Sequence, residues 1–120
     1  MNRLSDAEWK IMKLLWDNAP MTITELTRAL FEETGWTKYT IITYLKRMEA
    51  KGAVYHTEDG RAKQFFPMID RTDTEIKEIR FFLDKVFDGE LETMLSTMVE
   101  GKALKKGEIK QLRKFLKKLS

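Results

Sequence analysis

The sequence predicts a mainly α-helical fold with one small β-hairpin. Apolar residues recur at helical spacing in six segments, and glycines or a proline interrupt the chain between most of them. Between the third and the fourth segment the period changes, and two short strand-like runs flank an Asp-Gly pair, which favours a hairpin turn. A chain of 120 residues is long enough for one small domain with a short appended module.

The first two helices are predicted from the residues at their starts. Ser5 and Glu8 have the spacing of a capping box, in which each side chain accepts the backbone N–H of the other residue. Thr22 and Glu25 repeat this spacing at the second helix, which Gly35 is expected to end. The same local device therefore marks the beginning of both helices.

The third helix is predicted to follow Thr37 as its cap and to stop at Gly52. Its buried stripe is expected to consist of Ile41, Leu45 and Met48, which recur at helical spacing. Three short helices joined by tight breaks form a compact trihelical unit.

A β-hairpin is predicted after the third helix. Val54–Thr57 forms the first strand, Asp59 and Gly60 favour a type I′ turn, and residues 62–66 form the second strand, which Pro67 closes. Three helices followed by a hairpin are the arrangement of a winged helix, which is a variant of the helix-turn-helix.

Helical spacing resumes in the C-terminal part of the chain. Thr72 and Glu75 are expected to form a third capping box, and Gly89 and Gly101 separate three further helices. These helices are too short to be stable alone, and their apolar faces are broad for a segment with no sheet to cover. We therefore expect a second copy of the chain to cover them.

The chain is accordingly divided into a winged-helix domain, residues 1–70, and a three-helix dimerisation module, residues 71–120. The residues expected in the homodimer interface are Phe82, Val86, Leu91, Leu95, Leu112, Phe115 and Leu116.

Composition excludes most kinds of catalytic and metal site. The chain has no cysteine and His56 is its only histidine, so disulfides, catalytic triads and zinc sites with two histidines are excluded. It also lacks a glycine-rich phosphate-binding loop. We expect no enzymatic activity, no cofactor and no metal, and we expect His56 to be a surface strand residue or a phosphate contact.

The location of the protein is predicted from what the sequence lacks. No apolar run is long enough to cross a membrane, and residues 1–6 lack the apolar segment of a secretory signal. We expect no membrane insertion and a cytoplasmic location, which the absence of cysteine also favours. The net charge of +3 is too modest to indicate nucleic acid by itself.

The third helix carries the pattern that points to DNA. Thr40, Thr43 and Arg47 share one face, and these residue types suit base edges, thymine methyl groups, guanine and phosphate. Ile42 is expected to be exposed, where an apolar contact in the major groove would explain it. The predicted DNA-binding residues are Lys38, Tyr39, Thr40, Ile42, Thr43, Lys46 and Arg47 on the third helix, with Arg61 beside the hairpin turn and Lys63 two residues later on the same strand face. Residues 1–70 are therefore the predicted DNA-binding domain.

A competing interpretation stays open from these residues alone. A winged helix can serve as a protein–protein interaction module without sequence-specific DNA binding, because a fold does not determine a function. Residues 1–70 carry equal numbers of basic and acidic side chains, which favours this alternative slightly. The polar face of the third helix and the basic pair in the hairpin favour DNA.

Several segments together resemble the penicillinase-repressor family of the BlaI/MecI type. The resemblance covers nearly the whole chain. The residues that carry it are the Leu4-Ser5-Asp6-Ala7-Glu8-Trp9 opening, Met12, Trp16, Trp36, Thr40, Thr43, Leu45, Arg47, Lys51-Gly52, Gly60-Arg61 and Phe66-Pro67.

The resemblance implies a dimeric winged-helix repressor on a dyad-symmetric operator, with Thr40, Thr43 and Arg47 facing the groove and Arg61 in the wing. It also implies a membrane-embedded sensor protease as a partner, whose signal leads to cleavage in the fifth helix. The Asn-Phe bond that is cleaved in β-lactam-responsive members aligns here with Thr97-Met98. The cysteine cluster of copper-responsive relatives is absent, which excludes copper sensing by that route.

Overall fold

The computed structural model describes residues 3–58 and 60–120, and its secondary structure confirms the predicted fold class. The elements in order are α1 (Asp6–Asn18), α2 (Ile23–Thr34), α3 (Lys38–Ala50), β1 (Val54–Thr57), β2 (Gln64–Pro67), α4 (Arg71–Phe87), α5 (Leu91–Glu100) and α6 (Lys106–Leu119). The chain divides into two compact units between Glu75 and Ile76. The predicted boundary at residue 70 between two functional domains stays a prediction.

The caps of the first three helices are confirmed. At α1 the N–H of Ser5 donates to Glu8 Oε1 at 2.7 Å, and the N–H of Glu8 donates to Ser5 Oγ at 3.2 Å. At α2 the same reciprocal bonds join Thr22 and Glu25, at 2.9 and 3.1 Å. Thr37 caps α3 through its side-chain oxygen. Each cap satisfies a backbone N–H that the helix itself cannot pair.

The predicted capping box at α4 is wrong. The helix begins at Arg71, and Asp70 Oδ2 accepts the backbone N–H of Asp73 at 3.0 Å. Thr72 therefore lies inside the first turn, and Glu75 lies 3.6 Å from the Arg71 guanidinium instead of reaching back to a cap. Aspartate is among the preferred N-cap residues, so an equally good cap two residues earlier starts the helix.

The core of the first unit holds α3 in place. Apolar side chains from all three helices and both strands pack into one cluster, and the predicted inward residues of α3 are all buried in it. The cluster consists of Leu4, Ile11, Met12, Leu15, Met21, Leu26, Leu30, Ile41, Leu45, Met48, Ala53, Val54 and Phe65.

The hairpin is antiparallel and is anchored to the segment before α2. Val54 pairs with Pro67, and Met21 exchanges two backbone hydrogen bonds with Phe65, at 2.9 and 3.2 Å. The hairpin with its connecting turn is called the wing below. The predicted turn residue Asp59 lies outside the described residues.

The predicted second strand begins too early. Strand β2 starts at Gln64 and includes Pro67, so Arg61 and Lys63 lie in the connecting turn and not on a strand face. The connection is longer than the two-residue type I′ turn that the Asp-Gly pair favours. Pro67 is tolerated because it lies at the end of a two-stranded sheet, where no further strand needs its missing N–H.

The second unit leaves most of its apolar side chains uncovered. In α4–α6 only Leu83 is buried among the described residues. The predicted interface residues Phe82, Val86, Leu91, Leu95, Phe115 and Leu116 are all exposed, and Leu112 is half-buried. Among the described residues, three amphipathic helices thus present exposed apolar faces.

Candidate nucleic-acid interface

The buried stripe of α3 determines which of its side chains face solvent. Because Ile41 is fully buried, residues about half a helical turn away lie on the opposite side. Tyr39 is there and is 82% exposed. Thr43, Lys46 and Arg47 are exposed beside it. These four residues are called the outward face of α3 below.

The threonine hydroxyls of α3 are less free than their exposure suggests. Thr43 Oγ1 donates to the carbonyl oxygen of Tyr39 at 3.0 Å. The hydroxyl of Thr40, which is half-buried, lies 3.3 Å from that of Thr37. Thr43 has therefore committed its single proton to the backbone and can offer a partner only an oxygen lone pair and its methyl group.

The expectation that Ile42 is exposed is wrong. Its side chain is half-buried and lines a small cleft of about 70 Å³ between α3 and the wing, together with Ile23, Leu45 and Phe65. Ile42 follows Ile41 on the helix, so it lies on the flank that the hairpin covers. Its apolar side chain packs the wing onto α3.

A second cleft brings together three of the predicted cations. It has a volume of about 300 Å³ and is lined by Lys38 at the start of α3, by Arg61 and Lys63 of the wing turn, and by Thr22 and Thr24 at the start of α2. We call it the wing cleft. Side chains from three separate chain segments thus place positive charge at one surface, next to the outward face of α3.

Lys46 lies on the side of α3 that is close to the wing. It belongs to the outward face of α3, and it also lines the smaller cleft with Lys63. The structure therefore groups Tyr39, Thr43, Lys46 and Arg47 on one helix face and Lys38, Arg61 and Lys63 around the wing. Of the predicted set, Thr40 and Ile42 are only partly accessible.

His56 is a strand residue, as predicted, but its ring does not face open solvent. Its Nδ1 contacts Glu49 Oε1 of α3, and its Nε2 lies 3.5 Å from Glu58 Oε1 in the wing turn. Glu58 in turn lies 3.8 Å from Lys63 Nζ. Sequence reasoning missed this set of contacts, because Glu49 and His56 lie on different elements and no spacing rule relates them.

A buried ion pair ties the end of α3 to the start of α1. Glu8 is 1% exposed, and its Oε1 accepts from Lys51 Nζ at 2.5 Å. Lys51 Nζ also donates to the carbonyl oxygen of Arg3 at 2.9 Å. Sequence reasoning assigned Glu8 only a capping role, since capping explains its position without any distant partner.

The charge of Glu8 follows from these contacts. Burial raises the pKa of the Glu8 carboxyl. Hydrogen bonds from Lys51 and Ser5, together with the charge of Lys51, lower the pKa by more than burial raises it, so the pKa lies below its ordinary value of 4.5. The other oxygen, Oε2, is buried without a hydrogen-bond partner among the described residues. The ionised carboxylate is thus held at the point where α1 and α3 meet.

The bond aligned with the family's cleavage position lies within a helix. Thr97 and Met98 belong to the second half of α5, and Thr97 Oγ1 donates to the carbonyl oxygen of Thr93 at 2.8 Å. Thr97 is exposed and Met98 is half-buried. A protease would need this part of α5 to unwind before it could bind the bond in an extended form.

The described residues contain neither a candidate metal site nor a candidate membrane span. No group of three or more His, Cys, Asp or Glu side chains is placed to hold a metal ion within residues 3–58 and 60–120. In the same part of the chain, no helix has both the length and the apolar character that a membrane span requires.

Comparison with known proteins relates the whole chain to one family of regulators. The family model of the penicillinase repressor matches residues 4–118. The chain is 32% identical to the penicillinase repressor of Bacillus licheniformis over 114 residues, which cover 95% of the chain and 89% of that protein. It is 26% identical to the methicillin resistance regulatory protein MecI of Staphylococcus aureus (strain N315), with 96% of the chain and 94% of that protein covered.

Solved structures agree with this relationship. The DNA-binding domain of the repressor BlaI matches 58% of the chain and 85% of its own length, with 36% identity and a TM-score of 0.53. BlaI of Bacillus licheniformis in complex with the blaP half-operator matches 60% of the chain and 88% of its own length, with 35% identity and a TM-score of 0.53. MarR from E. coli shares the fold over 97% of the chain and 77% of its own length, at 20% identity and a TM-score of 0.52. The chain belongs to the penicillinase repressor family, which is a family of transcriptional regulators and not of enzymes.

Proposed function

We propose that this protein is a homodimeric winged-helix repressor that binds dyad-symmetric operator DNA through α3 and the wing. The observation that carries the proposal is the position of the exposed outward face of α3 beside the wing cleft. A helix of 13 residues is about 20 Å long and fits the major groove of DNA. The cations of the wing then lie where the phosphate backbone runs.

The two surfaces have different roles in this proposal. Arg47 and Thr43 read bases, because a guanidinium suits the acceptors of guanine and a threonine methyl suits the methyl group of thymine. Lys38, Arg61 and Lys63 bind phosphates, which positions the protein without reading sequence. Thr40 and Ile42 are only partly accessible. In this proposal they pack at the edges of the DNA-binding surface and do not enter the groove.

Dimerisation follows from the uncovered faces of α4–α6. Six of the seven predicted interface residues are exposed large apolar side chains, and a second copy that presents the same faces would cover them in a two-fold interface. Two recognition helices in one dimer bind two half-sites at once, so the dimer binds far more tightly than either protomer alone.

The relatives favour DNA over the alternative protein-binding module. BlaI of Bacillus licheniformis, which matches 60% of this chain at 35% identity, has been solved in complex with the blaP half-operator. By that similarity we assign operator DNA as the ligand of this chain. A repressor of this kind acts in the cytoplasm, where the operator is.

Release from the operator is proposed to depend on α5. A cut or a distortion between Leu91 and Gly101 would separate the protomers without changing a residue of the outward face. A membrane sensor protease is the signalling partner that the family resemblance implies, and the bond between Thr97 and Met98 is the position where its cleavage would fall. Because this bond has different side chains from the Asn-Phe of β-lactam-responsive relatives, we expect the chain to stay intact when the cells that produce it are exposed to a β-lactam.

Mass spectrometry of the chain from such cells tests this expectation. A single intact mass is the predicted result. A pair of fragments split after Thr97 would show that the departure is tolerated and that release uses cleavage.

The function itself is tested by selecting bound sequences from a random pool of DNA duplexes. We expect the enriched duplexes to contain two half-sites related by a dyad, and we expect their affinity to fall steeply as the salt concentration rises. Arg47→Ala should abolish the enrichment, whereas Lys13→Ala, an exposed change on α1, should leave it intact. A pool that shows no enriched sequence with the unaltered protein would support the protein-binding alternative.

A further inference from the structure

The contacts of His56 form a continuous chain from the recognition helix to a DNA-binding cation. Glu49 of α3 contacts Nδ1 of the ring, and Nε2 lies 3.5 Å from Glu58 of the wing turn. Glu58 also lies 3.8 Å from Lys63, which lines the wing cleft. The His56 side chain is 24% exposed and that of Glu49 is 33% exposed, so the contact between them is partly shielded from water.

Among the described residues, charged groups face His56 from α3 and from the wing. The ring lies between α3 and the wing, in the small cleft that Lys46 and Glu49 line from α3 and Lys63 lines from the wing. Glu58 faces the ring from the turn. On its own sheet His56 neighbours the ring of Phe65, with centroids 5.4 Å apart, and α2 contributes the apolar Ile23.

The protonation state of His56 determines how many of these contacts it can make. A protonated imidazole donates from both nitrogens, so it can hold Glu49 and Glu58 at the same time. A neutral imidazole donates from one nitrogen only. If that donor faces Glu49, then Nε2 presents a lone pair to the carboxylate of Glu58 and repels it.

The release of Glu58 has a consequence for DNA binding. When protonated His56 holds Glu58, the carboxylate divides its charge between His56 and Lys63. Lys63 is then available to bind a phosphate. Glu58 that is released from His56 still lies 3.8 Å from Lys63 and can pair with it, and its own negative charge repels the DNA backbone. Both effects weaken operator binding.

We propose that His56 is a positioning residue for operator binding, which in its protonated form holds the wing turn against α3 and leaves Lys63 available to a DNA phosphate. The proposal rests on the proposed function for its DNA readout. Its structural part, the proton-dependent attachment of the wing turn to α3, is independent of DNA and can be tested on the free protein.

The sequence makes this proposal unusually easy to test. His56 is the only histidine and the chain has no cysteine, so it is the only side chain of a type that ordinarily titrates between about pH 5.5 and 7.5. We expect operator affinity to fall roughly two- to fivefold as the pH rises from 6 to 7.5, the range that a partly exposed ion pair contributes. A change in this interval that depends on His56 cannot be assigned to another histidine.

The experiment measures operator affinity against pH for four proteins. The unaltered protein should show the fall, whereas His56→Gln and Glu58→Gln should show a flat profile. Glu58 is 67% exposed, so its variant does not endanger folding. Glu33→Gln, which removes an exposed carboxylate that pairs with Lys10 of α1, is the matched control and should retain the fall. Equal profiles for the unaltered protein and His56→Gln would overturn the proposal.

A second readout on the free protein separates this proposal from the function itself. We expect the amide NMR signals of Glu58, Arg61 and Lys63 to shift as the pH rises from 6 to 7.5, and to stay constant in His56→Gln. Wing signals that shift equally with pH in the unaltered protein and in His56→Gln would refute the attachment. Signals that shift only when His56 is present, in a protein that binds no operator, would support the attachment and contradict the proposed function instead.

Discussion

Single residues of the outward face of α3 differ in what they can offer to DNA, and their hydrogen bonds explain why. Arg47 is exposed in the last turn of α3, and a guanidinium at such a position can donate to a base or a phosphate. Thr43 has donated its hydroxyl proton to the carbonyl oxygen of Tyr39. Arg47 is therefore the stronger candidate for affinity, and Thr43 for selectivity through its methyl group.

Arg47→Ala should weaken operator binding severely. A good side-chain contact to a base contributes roughly 1–3 kcal/mol, so we expect a loss of about 5- to 150-fold per half-site. Equilibrium titration of a selected operator measures the effect, with thermal unfolding as the control for an intact fold. Unchanged affinity in a folded variant would mean that α3 is not the recognition helix.

Thr43 variants should chiefly alter base preference. Thr43→Val keeps both the shape and a methyl group, whereas Thr43→Ser removes the methyl group and keeps the hydroxyl. Because the hydroxyl proton is bound to the backbone, we expect the valine variant to keep more of the preference for thymine than the serine variant. Titration against operators with single-base changes measures this, and the opposite order would show that the hydroxyl, not the methyl group, reads the base.

The ion pair of Glu8 should stabilise the fold at a pH above the ordinary pKa of the carboxyl, and this stabilisation should be absent at a pH below its pKa in the folded chain. Its pKa is lowered in the folded chain, so the folded state favours the carboxylate, and this stabilisation is lost as the pH falls below about 4.5. Glu8→Gln can still cap α1, but it leaves Lys51 without its ion pair. We expect it to lower the free energy of unfolding by about 1–3 kcal/mol at pH 7, less than for a fully buried pair because Lys51 is 20% exposed.

Urea unfolding at pH 7 and at pH 4 checks this expectation. The difference between Glu8→Gln and the unaltered protein should narrow at the lower pH. Glu33→Gln removes an exposed pair with Lys10 and should change stability by less than about 1 kcal/mol at either pH. A constant difference for Glu8→Gln would assign its effect to packing and not to charge.

At the scale of elements, local signals predicted the helices well, because capping and helical spacing involve neighbours in the sequence. The boxes at Ser5 and Thr22 formed as expected. The error at α4 arose because two acceptable caps, Asp70 and Thr72, lie two residues apart. Sequence spacing alone does not locate the start of a helix to within two residues, so it cannot choose between these two caps.

The contacts between elements could not be predicted in the same way. The exposure of Ile42 depends on how the hairpin lies against α3, and the pair of Glu8 with Lys51 joins residues 43 positions apart. The partners of His56 depend on the same packing. These features follow from tertiary structure, whereas the outward direction of Tyr39, Thr43 and Arg47 follows from the inward stripe of α3 alone.

An interruption of α5 should switch the protein off without touching α3. Proline inside a helix removes a backbone hydrogen bond and costs about 3 kcal/mol, and Thr97→Pro places it near the middle of the second half of α5. We expect this variant to lose dimerisation and to bind the operator at least about 100-fold more weakly, because the bivalent advantage is lost. Thr97→Ala, which keeps the helix, should bind as the unaltered protein does.

The half-site affinity of Thr97→Pro provides the internal control. A duplex with one half-site should bind the variant and the unaltered protein about equally, because the outward face of α3 is unchanged. Full affinity of Thr97→Pro for the complete operator would show that α5 does not hold the protomers together.

At the scale of the whole molecule, the uncovered apolar faces of α4–α6 connect the fold to the function. A single chain leaves Phe82, Val86, Leu91, Phe115 and Leu116 exposed, which a stable monomer in water would avoid. A two-fold dimer removes these faces from water and at the same time sets two recognition helices at a fixed separation. Stability of the second unit and operator binding are therefore expected to depend on the same interface.

The most direct test of this account is sedimentation of the protein at micromolar concentration, alone and with a selected dyad operator. We predict a species of about 28 kDa for the free protein, twice the 14.2 kDa of one chain, and one such dimer for each operator duplex. Leu116→Glu, which places a charge in the proposed interface, should give a 14.2 kDa species that binds single half-sites weakly. A free protein that sediments only as a 14.2 kDa species and still binds the operator at full affinity would contradict the account.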